Sequence, residues 1–409
     1  MSDVLVLIGP GLAADEALLG EIAEREFVSL GVRGVITHVR DPDDVRARTR
    51  RRHPGAVDRQ GERHNPDGRA VVILPGPGEL RPLMREPLGP VTWLDIWRAD
   101  GVEVAEDATH IHGRGVAGLR WAVRHAVHRL RQPHVRVPYG TDRDQWGHLY
   151  LPAPQTAART AETEAPALPR RRGGPPEPPA GDAGAGPWPV VVLVHGGYWR
   201  SLWDADLMEG LCADLTGRGF AVWNLEYRRP DRHGWDATTA DVAAGMEALA
   251  GLDAPLDLER VAIAGHSAGG QLALRAAADG AGVALAVSLA GVLDLVEGDR
   301  RWVGAGAVAS ALGAHTWDDT PGEERSAAER TYGGASPLVR VPIKVRQLIV
   351  QGSGDDLDLV DFGRRYARTA ANAGDEVTYL EMVGDHLAVI DPGTPIWTAT
   401  AQAIADALR

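Results

Sequence analysis

The chain has a single cysteine, Cys212, among its 409 residues. One thiol can form neither an intrachain disulfide nor a zinc cluster of thiolates, so a disulfide-stapled secreted fold is excluded. No apolar run approaches the roughly 20 residues that cross a bilayer. The first ten residues also lack the basic segment that opens a signal peptide. These absences predict a cytoplasmic protein that does not associate with membranes.

An excess of positive charge is missing as well. The chain carries 43 Lys and Arg against 56 Asp and Glu, a net charge of −13. Residues 1–133 hold 19 of each sign, so the acidic excess lies in the rest of the chain. Nucleic-acid binding requires the opposite sign, and no nucleic-acid partner is expected. The one basic cluster, residues 46–53, follows Asp41, Asp43 and Asp44, a pattern that favours a solvated helix.

The remaining composition predicts an ordinary globular chain of two or three domains. Apolar residues make up 44% and charged residues 24%, which excludes a wholly disordered protein. Short apolar runs alternate with helical stretches, which favours the α/β class with parallel sheets and crossover helices. The first third has predicted strands at Val4–Ile8, Val35–Val39, Ala70–Leu74 and Val91–Ile96, and a helix at Gly115–Arg131. Later strands are predicted at Val190–Val194, Ala221–Glu226, Val261–Ala264, Val283–Leu289, Gln347–Gln351 and Glu376–Glu381.

This pattern divides the chain into a first domain over residues 1–133 and a second over 134–409. The stretch from about 153 to 187 is rich in Ala, Pro and Gly and has almost no large apolar residue. It cannot bury enough surface to order itself. We interpret it as a disordered insertion within the second domain, because the short strands of residues 134–150 belong with the strands beyond it.

The strongest motif is Gly265-His266-Ser267-Ala268-Gly269. It follows an apolar strand and opens a helix, the context of a nucleophile elbow. A β-carbon at Gly265 or Gly269 would collide with the neighbouring chain, and the tight turn holds the serine in a strained conformation. Ser267 is therefore the predicted nucleophile.

A serine nucleophile needs a base, which comes last in the chain in this arrangement. Of the two later histidines, His315 lies in a polar stretch and His386 directly follows a predicted strand, so His386 is the predicted general base. The acid that orients it should follow the preceding strand. Asp355 is the first choice, with Asp356, Asp358 and Asp294 as rivals.

Acyl transfer also needs hydrogen-bond donors for an oxyanion. The segment His195-Gly196-Gly197-Tyr198-Trp199 follows a predicted strand, so backbone amides at Gly197 and Tyr198 can face the elbow beside the amide of Ala268. His195, Gly196, Trp199 and Trp203 are candidate substrate contacts, with core or rim packing as the alternative for the tryptophans.

These motifs, with Asp385-His386-Leu-Ala-Val-Ile-Asp391-Pro392, resemble the α/β hydrolases of the kynurenine formamidase (arylformamidase) type. The resemblance runs from about His134 to the C-terminus. It implies metal-free and cofactor-free hydrolysis of a small N-formyl aryl amide or an ester. The Tyr-Trp pair after the two glycines is only moderately specific to formamidases, and many members of the wider group are carboxylesterases.

The N-terminal third resembles a degenerate type II 3-dehydroquinate dehydratase. Its first strand, Val4-Leu-Val-Leu-Ile-Gly-Pro10, the strands at Val71 and Pro90, and the segment from Ile111 to Gly118 carry the resemblance, which implies a flavodoxin-like parallel sheet. The family has asparagines in the first loop, where this chain has Gly11 and Ala13. It has an asparagine at the third strand's end, here Leu74, and a catalytic histidine on the fourth, here Asp95. The family's lid is shortened in this chain, between Leu12 and Glu26.

These departures predict that the N-terminal domain has no dehydratase activity. An interaction role or a retained small-ligand site stays open. The family is typically multimeric, which implies a possible homo-oligomer through this domain.

Two further patterns carry weaker signals. Gly113-Arg-Gly115-Val-Ala-Gly118 has dinucleotide-binding spacing, but it lies in the last βα unit with no acidic residue at the expected distance. His110 and His112 would share one face of a strand, the geometry of a metal pair, but no further ligands lie nearby in sequence. No metal site is therefore predicted.

The sequence thus favours a serine hydrolase acting on a small N-formyl aryl amide, with a carboxylesterase as the alternative. A binding or scaffold protein acting through the N-terminal domain is a hypothesis of another class. A bifunctional enzyme with live dehydratase chemistry would need replacements for the missing histidine and asparagine, and none is evident.

Overall fold

A computed structural model describes residues 3–49, 69–152, 186–316 and 323–409. The C-terminal half of the basic cluster and nearly all of the predicted insertion, residues 153–185, lie outside these ranges. Within them, no helix combines the length and the apolar character that a membrane span requires.

The N-terminal unit is built on a parallel sheet of five strands in the order β2-β1-β3-β4-β5. This is the strand order of flavodoxin-like doubly wound folds. Its strands are β1 (Val4–Ile8), β2 (Gly34–His38), β3 (Ala70–Leu74), β4 (Val91–Asp95) and β5 (Thr109–His112). Its helices are α1 (Glu16–Ser29), α2 (Pro42–Thr49) and α3 (Gly118–Arg131). Strands β1 and β3 are continuous apolar runs, and every residue of β1, β3 and β4 is buried, as strands covered on both faces require.

The second sheet has eight strands in the order β13-β12-β11-β10-β8-β9-β7-β6. Neighbouring strands from β13 to β9 are parallel, and β7 pairs antiparallel with both β9 and β6. The strands are β6 (Val135–Pro138), β7 (Trp146–Tyr150), β8 (Trp188–Val194), β9 (Ala221–Leu225), β10 (Leu256–His266), β11 (Leu285–Leu289), β12 (Gln347–Gly352) and β13 (Val377–Met382). The strands before the insertion therefore pair with those after it.

Helices cover both faces of this second sheet, and each face packs its own apolar cluster. They are α4 (Glu209–Gly217), α5 (Pro230–His233), α6 (Trp235–Glu247), α7 (Ala268–Ala278), α8 (Leu295–Arg300), α9 (Ala307–Leu312), α10 (Glu323–Ala335), α11 (Leu357–Asn372) and α12 (Pro395–Ala407). The expected α/β class, with a parallel N-terminal sheet followed by a second α/β unit, is confirmed.

Most predicted elements differ from the structure by one or two residues at an end, and two larger differences have local reasons. Helix α3 begins at Gly118 rather than Gly115, because Gly113 and Gly115 have φ values of 71° and 61° that no helix accommodates. Strand β10 begins at Leu256, five residues before its predicted start, because an irregularity between Asp257 and Val261 lets a polar segment extend the pairing.

Strand β7 offers a test of packing in the second sheet. A β-carbon on Gly147 would lie 2.4 Å from the ring of the fully buried Trp223. We expect Gly147→Ala to lower the free energy of unfolding by about 1–3 kcal/mol, because the indole must shift within a packed core. The measurement is urea unfolding followed by circular dichroism.

Gly217→Ala is the matched control, because nothing lies within 4 Å of a β-carbon there, at the last residue of α4. It should leave stability unchanged or raise it by up to about 1 kcal/mol. Equal stabilities for the two variants would contradict the packing at Gly147.

Candidate active site

Loops that follow five parallel strands of the second sheet converge at one edge. They carry His195 after β8, Glu226 after β9, Ser267 after β10, Asp355 after β12 and His386 after β13. Carboxyl ends of parallel strands point to the same edge of a sheet, where ligand sites of open α/β folds lie. The topology thus brings together residues that are distant in sequence.

The turn at Ser267 is strained, as an elbow requires. Ser267 has φ 54° and ψ −117° and is 2% exposed. A β-carbon at Gly265 would lie 1.9 Å from the carbonyl oxygen of Gly269, and one at Gly269 would lie 2.1 Å from that of Val194. Both positions are therefore restricted to glycine, and their close approach fixes the serine at the strand-to-helix turn.

The predicted oxyanion loop passes directly beside this turn. A β-carbon on Gly196 would lie 3.0 Å from Cβ of Ser267, which shows how near the two backbones are. Gly197, Tyr198 and Trp199 have positive φ values of 117°, 53° and 56°. On the other side, α7 begins at Ala268, so its first amides have no acceptor within the helix.

His386 and Asp355 are in direct contact. The Nδ1 atom of His386 donates to Oδ2 of Asp355 over 2.9 Å. The Asp355 side chain is 2% exposed and also accepts hydrogen bonds from Gln351 Nε2 (2.9 Å) and the amide of Asp356 (2.7 Å). The loops themselves are joined, because the Gly354 amide donates to the carbonyl of Gly384 (2.9 Å). The carboxylate is thus held in one orientation against the imidazole.

The rival acids have other partners. Asp356 is the N-cap of α11 and accepts from the amide of Asp358, while Asp358 pairs with Arg301. Asp294 caps α8 and pairs with Arg365. Each therefore has a structural contact of its own, which favours Asp355 as the acid.

The other candidate base, His315, is held by Asp299, with its Nδ1 atom 2.9 Å from Oδ1 of that carboxylate. This contact leaves His386 as the histidine that meets Asp355. The catalytic roles assigned to Ser267, His386 and Asp355 stay predictions.

His266, the residue before the nucleophile, connects the elbow to the His386 loop. Its Nε2 atom donates to the carbonyl of His386 over 3.0 Å, and the two rings lie 4.7 Å apart between centroids. Burial holds the pKa of His266 well below its ordinary value, so the ring is neutral. The second position of the motif thereby fixes the position of the base, a role the sequence did not indicate.

The four candidate substrate contacts have different positions. His195 is fully buried, stacks on Tyr227 at 4.4 Å between centroids, and has its pKa lowered to about 4, first by burial and then by Arg229. Trp199 is 2% exposed and donates Nε1 to Gln271. Both therefore support the loop from within the core, whereas Gly196 lies against the nucleophile.

Trp203 is half-buried and packs against Gly197. The Tyr198 ring lies against Gly304, where a β-carbon would come within 2.3 Å of it. The tyrosine side chain is half-buried, and its pKa is raised first by burial and then by the charges of Asp356 and Asp355. The phenol is therefore protonated at neutral pH and can donate a hydrogen bond near the acid.

Sequence reasoning missed two residues that hold the oxyanion loop. The Tyr227 hydroxyl donates to the carbonyl of His195 (2.8 Å), and Glu226 lies 3.2 Å from His195 Nε2 and accepts the amide of Ala205 (2.8 Å). Their position directly after β9, adjacent to β8 in the sheet, is the signal that could have found them.

At the equivalent edge of the N-terminal sheet, Asp95 is the centre of a polar cluster. It accepts two hydrogen bonds from Arg81 (2.8 and 2.9 Å) and lies 2.9 Å from Nε2 of His110. His110 stacks on His112 with centroids 5.0 Å apart. The pair predicted to share a strand face thus lies beside a carboxylate and an arginine rather than a set of metal ligands.

One group among the described residues has metal-ligand proximity. The ligand atoms of Asp142, Asp144 and His233 lie within 4.8 Å of one another. Asp144 is already paired with Arg143 and Arg229, which supply the positive charge that the carboxylates attract.

Comparison with known proteins identifies the fold of this unit. Residues 191–388 match a family model described as the alpha/beta hydrolase fold. Esterase LipC of Mycobacterium tuberculosis is 28% identical over 226 residues, which cover 48% of this chain and 52% of that protein. The chain therefore spans about half the length of this relative.

Solved structures agree on the fold. A truncated carbohydrate esterase from gut microbiota is 18% identical with a TM-score of 0.50, over 66% of this chain and 94% of that chain. A bifunctional GH43-CE protein of Bacteroides eggerthii is 16% identical with a TM-score of 0.50, over 68% of this chain and 35% of that chain. The second unit thus has the α/β-hydrolase fold.

The contact between Asp355 and His386 predicts a large loss of activity on Asp355→Asn. We expect kcat to fall by about 10³–10⁴-fold, because the amide no longer fixes the imidazole tautomer and does not stabilise its protonated form. Asp358→Asn, which removes only the pairing with Arg301, should keep kcat near that of the unchanged protein. Initial rates of ester hydrolysis at neutral pH measure both, and the reverse ranking would show that the acid is misassigned.

The Asp95 cluster predicts a pH-dependent stability. Burial alone raises the pKa of Asp95, but hydrogen bonds from His110 and Arg81 more than offset it and lower the pKa from 3.8 to about 2. The ionised carboxylate therefore stabilises the folded state above pH 3.8, and this contribution is lost as the pH falls towards 2. The contribution to the free energy of unfolding is about 2 kcal/mol.

The Asp95→Asn variant has no carboxyl group to titrate at this position. We expect the stability difference between the unchanged protein and the variant to shrink on acidification, in urea unfolding at a series of pH values. A difference that stays constant from about pH 5 to the acid limit of folding would contradict the lowered pKa.

Proposed function

We propose that the protein is a serine hydrolase that cleaves small carboxylic esters through an acyl-enzyme. The observation that carries this proposal is that the strained Ser267 and the hydrogen-bonded pair of His386 and Asp355 lie on loops at one sheet edge, joined by the hydrogen bond from His266 to the carbonyl of His386. A strained non-glycine residue persists only where the surrounding fold enforces it, and such strain clusters at functional sites. The printed names of esterases among the similar proteins agree with this class.

The proposed mechanism gives each of these groups one role. Ser267 Oγ attacks the substrate carbonyl carbon while His386 Nε2 accepts its proton, and Asp355 stabilises the imidazolium. The amides of Tyr198 and Ala268, with that of Gly197, hold the oxygen that becomes negatively charged. His386 then protonates the leaving alcohol, and a water molecule activated by the same histidine hydrolyses the acyl-enzyme.

An N-formyl aryl amide is the narrower alternative that the sequence resemblance suggests. It depends largely on Tyr198 and Trp199, which follow the two glycines. Trp199 is buried against Gln271, whereas Tyr198 is only half-buried. The tryptophan therefore gives no reason to prefer an aryl amide over an ester, and the ester is the leading substrate class.

We further propose that the chain divides near residue 133 and that the N-terminal unit carries out no dehydration. Strands β6 and β7, which follow that point, pair with the second sheet. At the position of the histidine of the resembled family, Asp95 is tied to Arg81 and His110. This arrangement favours an enzyme with one catalytic site over a bifunctional one.

The test compares short-chain nitrophenyl esters with N-formylkynurenine as substrates of the purified protein. We expect ester hydrolysis in the unchanged protein and a fall in kcat of about 10⁴-fold or more in Ser267→Ala, since the nucleophile is lost. Ser310→Ala, which changes an exposed hydroxyl on α9, is the matched control and should keep full activity.

The outcomes separate the alternatives. Efficient cleavage of the formyl amide, lost in Ser267→Ala, would replace the ester with an aryl formamide as the preferred substrate. Activity that survives Ser267→Ala would contradict the mechanism. A protein with neither activity would favour the scaffold hypothesis.

A further inference from the structure

The N-terminal unit contacts the short turn at residues 202–206, which follows the predicted oxyanion loop. Arg114, just before α3, donates Nε to the carbonyl of Leu202 (2.8 Å) and both terminal nitrogens to Asp206 (2.6 and 2.8 Å). The two charged side chains are only 2% and 5% exposed. The Leu202 side chain also lies against Gly113, where a β-carbon would come within 2.6 Å of it. This contact is part of the packed interior, not a surface pair.

Trp203 connects this turn to the oxyanion loop. One side of its indole faces the N-terminal unit, with the Arg114 guanidinium 4.4 Å from the ring centroid and Trp121 of α3 edge-on at 5.9 Å. At its base, the indole packs against Gly197, where a β-carbon would lie 2.3 Å from Cβ of Trp203. Gly197 has φ 117°, a conformation that depends on its surroundings. A continuous chain of contacts thus runs from the first unit to the predicted oxyanion amides.

The same helix also reaches the loop that carries the base. Arg124 and Arg120 of α3 lie 3.2 and 3.5 Å from Asp391, and both contact Glu26, whose side chain is 4% exposed. Asp391 closes the short loop that begins at His386. The N-terminal unit therefore contacts two of the five loops at this edge, the loop after β8 and the loop after β13.

We propose that the N-terminal unit is a positioning element of the hydrolase, in which Arg114 and Trp121 act through Trp203 to hold the Gly197 and Tyr198 amides. This inference rests on the proposed function and extends it. It gives the first unit a role that requires no chemistry of its own. Oxyanion donors act mainly on the transition state, so a displaced loop should lower kcat and leave KM nearly unchanged.

The experiment uses the full-length chain with Arg114→Met and Trp203→Ala. Trp203→Phe is the conservative variant, because a phenyl ring can still pack on Gly197. Val72→Ala, in the fully buried core of β3, destabilises the first unit without touching the interface. Each variant is measured for melting temperature, for kcat and KM on a nitrophenyl ester, and for the rate constant of phosphonylation of Ser267 by a fluorophosphonate.

We expect kcat and the phosphonylation rate to fall by about tenfold or more in Arg114→Met and Trp203→Ala, with KM within about twofold. Trp203→Phe should recover most of the loss. Val72→Ala should lower the melting temperature and keep both rates. If Arg114→Met does not fold, Arg114→Lys takes its place. The lysine keeps the positive charge but loses the bidentate hydrogen bonding to Asp206.

Several results would overturn the positioning role. One is unchanged kcat and phosphonylation in the two interface variants despite lowered melting temperatures. Another is an equal loss of rate in Val72→Ala. A raised KM with unchanged kcat in Trp203→Ala would make Trp203 a substrate contact instead.

A failure of the proposed function would be distinguishable from a failure of the positioning role. A protein that is phosphonylated at Ser267 but cleaves no ester has a different substrate, and the labelling rates still decide the positioning role. Absence of labelling in the unchanged protein would overturn both.

Discussion

The close approach of three backbone segments around Ser267 is the constraint on which the site depends. Gly265, Gly269 and Gly196 each lie where a β-carbon would meet backbone or the nucleophile's own side chain. Because these contacts leave no room for adjustment, the end of β10, the start of α7 and the loop after β8 have a single relative placement. The strained backbone of Ser267 is a consequence of that placement.

Polar contacts then hold the loops around this fixed centre. Asp355 orients His386 from one side, while His266, in the elbow itself, holds the carbonyl of the same histidine. The oxyanion loop is held from beneath by Tyr227 and from outside by Trp203. Since buried polar groups are costly to leave unpaired, each of these contacts stabilises one arrangement against its alternatives. The N-terminal unit adds contacts to the loops after β8 and β13, through Arg114 and through Arg120 and Arg124.

Much of this could be predicted from the sequence. The predicted strands at Val4–Ile8 and Ala70–Leu74 have the same bounds as strands β1 and β3 of the structure. Parallel strands that are buried on both faces consist of continuous apolar runs, which are easy to recognise in a sequence. The choice of Asp355 over its neighbours followed from the turn after β12. By contrast, the sequence left open whether Trp199 contacts substrate or packs in the core, and the structure buries its indole on Gln271. The spacing of apolar residues predicts which face of an element is buried, but it does not show which residue packs against a given side chain.

The sequence alone determined the α/β class, the strand order along the chain and the residues that form the elbow, since each of these depends on local pattern and turn chemistry. Only the tertiary structure decided which groups face one another across long separations. Arg114 reads in sequence as part of a glycine-rich turn, and Asp206 as a polar residue in a loop. Their pairing across 92 residues arises because helix α3 of the N-terminal unit packs against α4 and the turn before it. Such contacts depend on how whole elements pack, and no local signal in the chain encodes them.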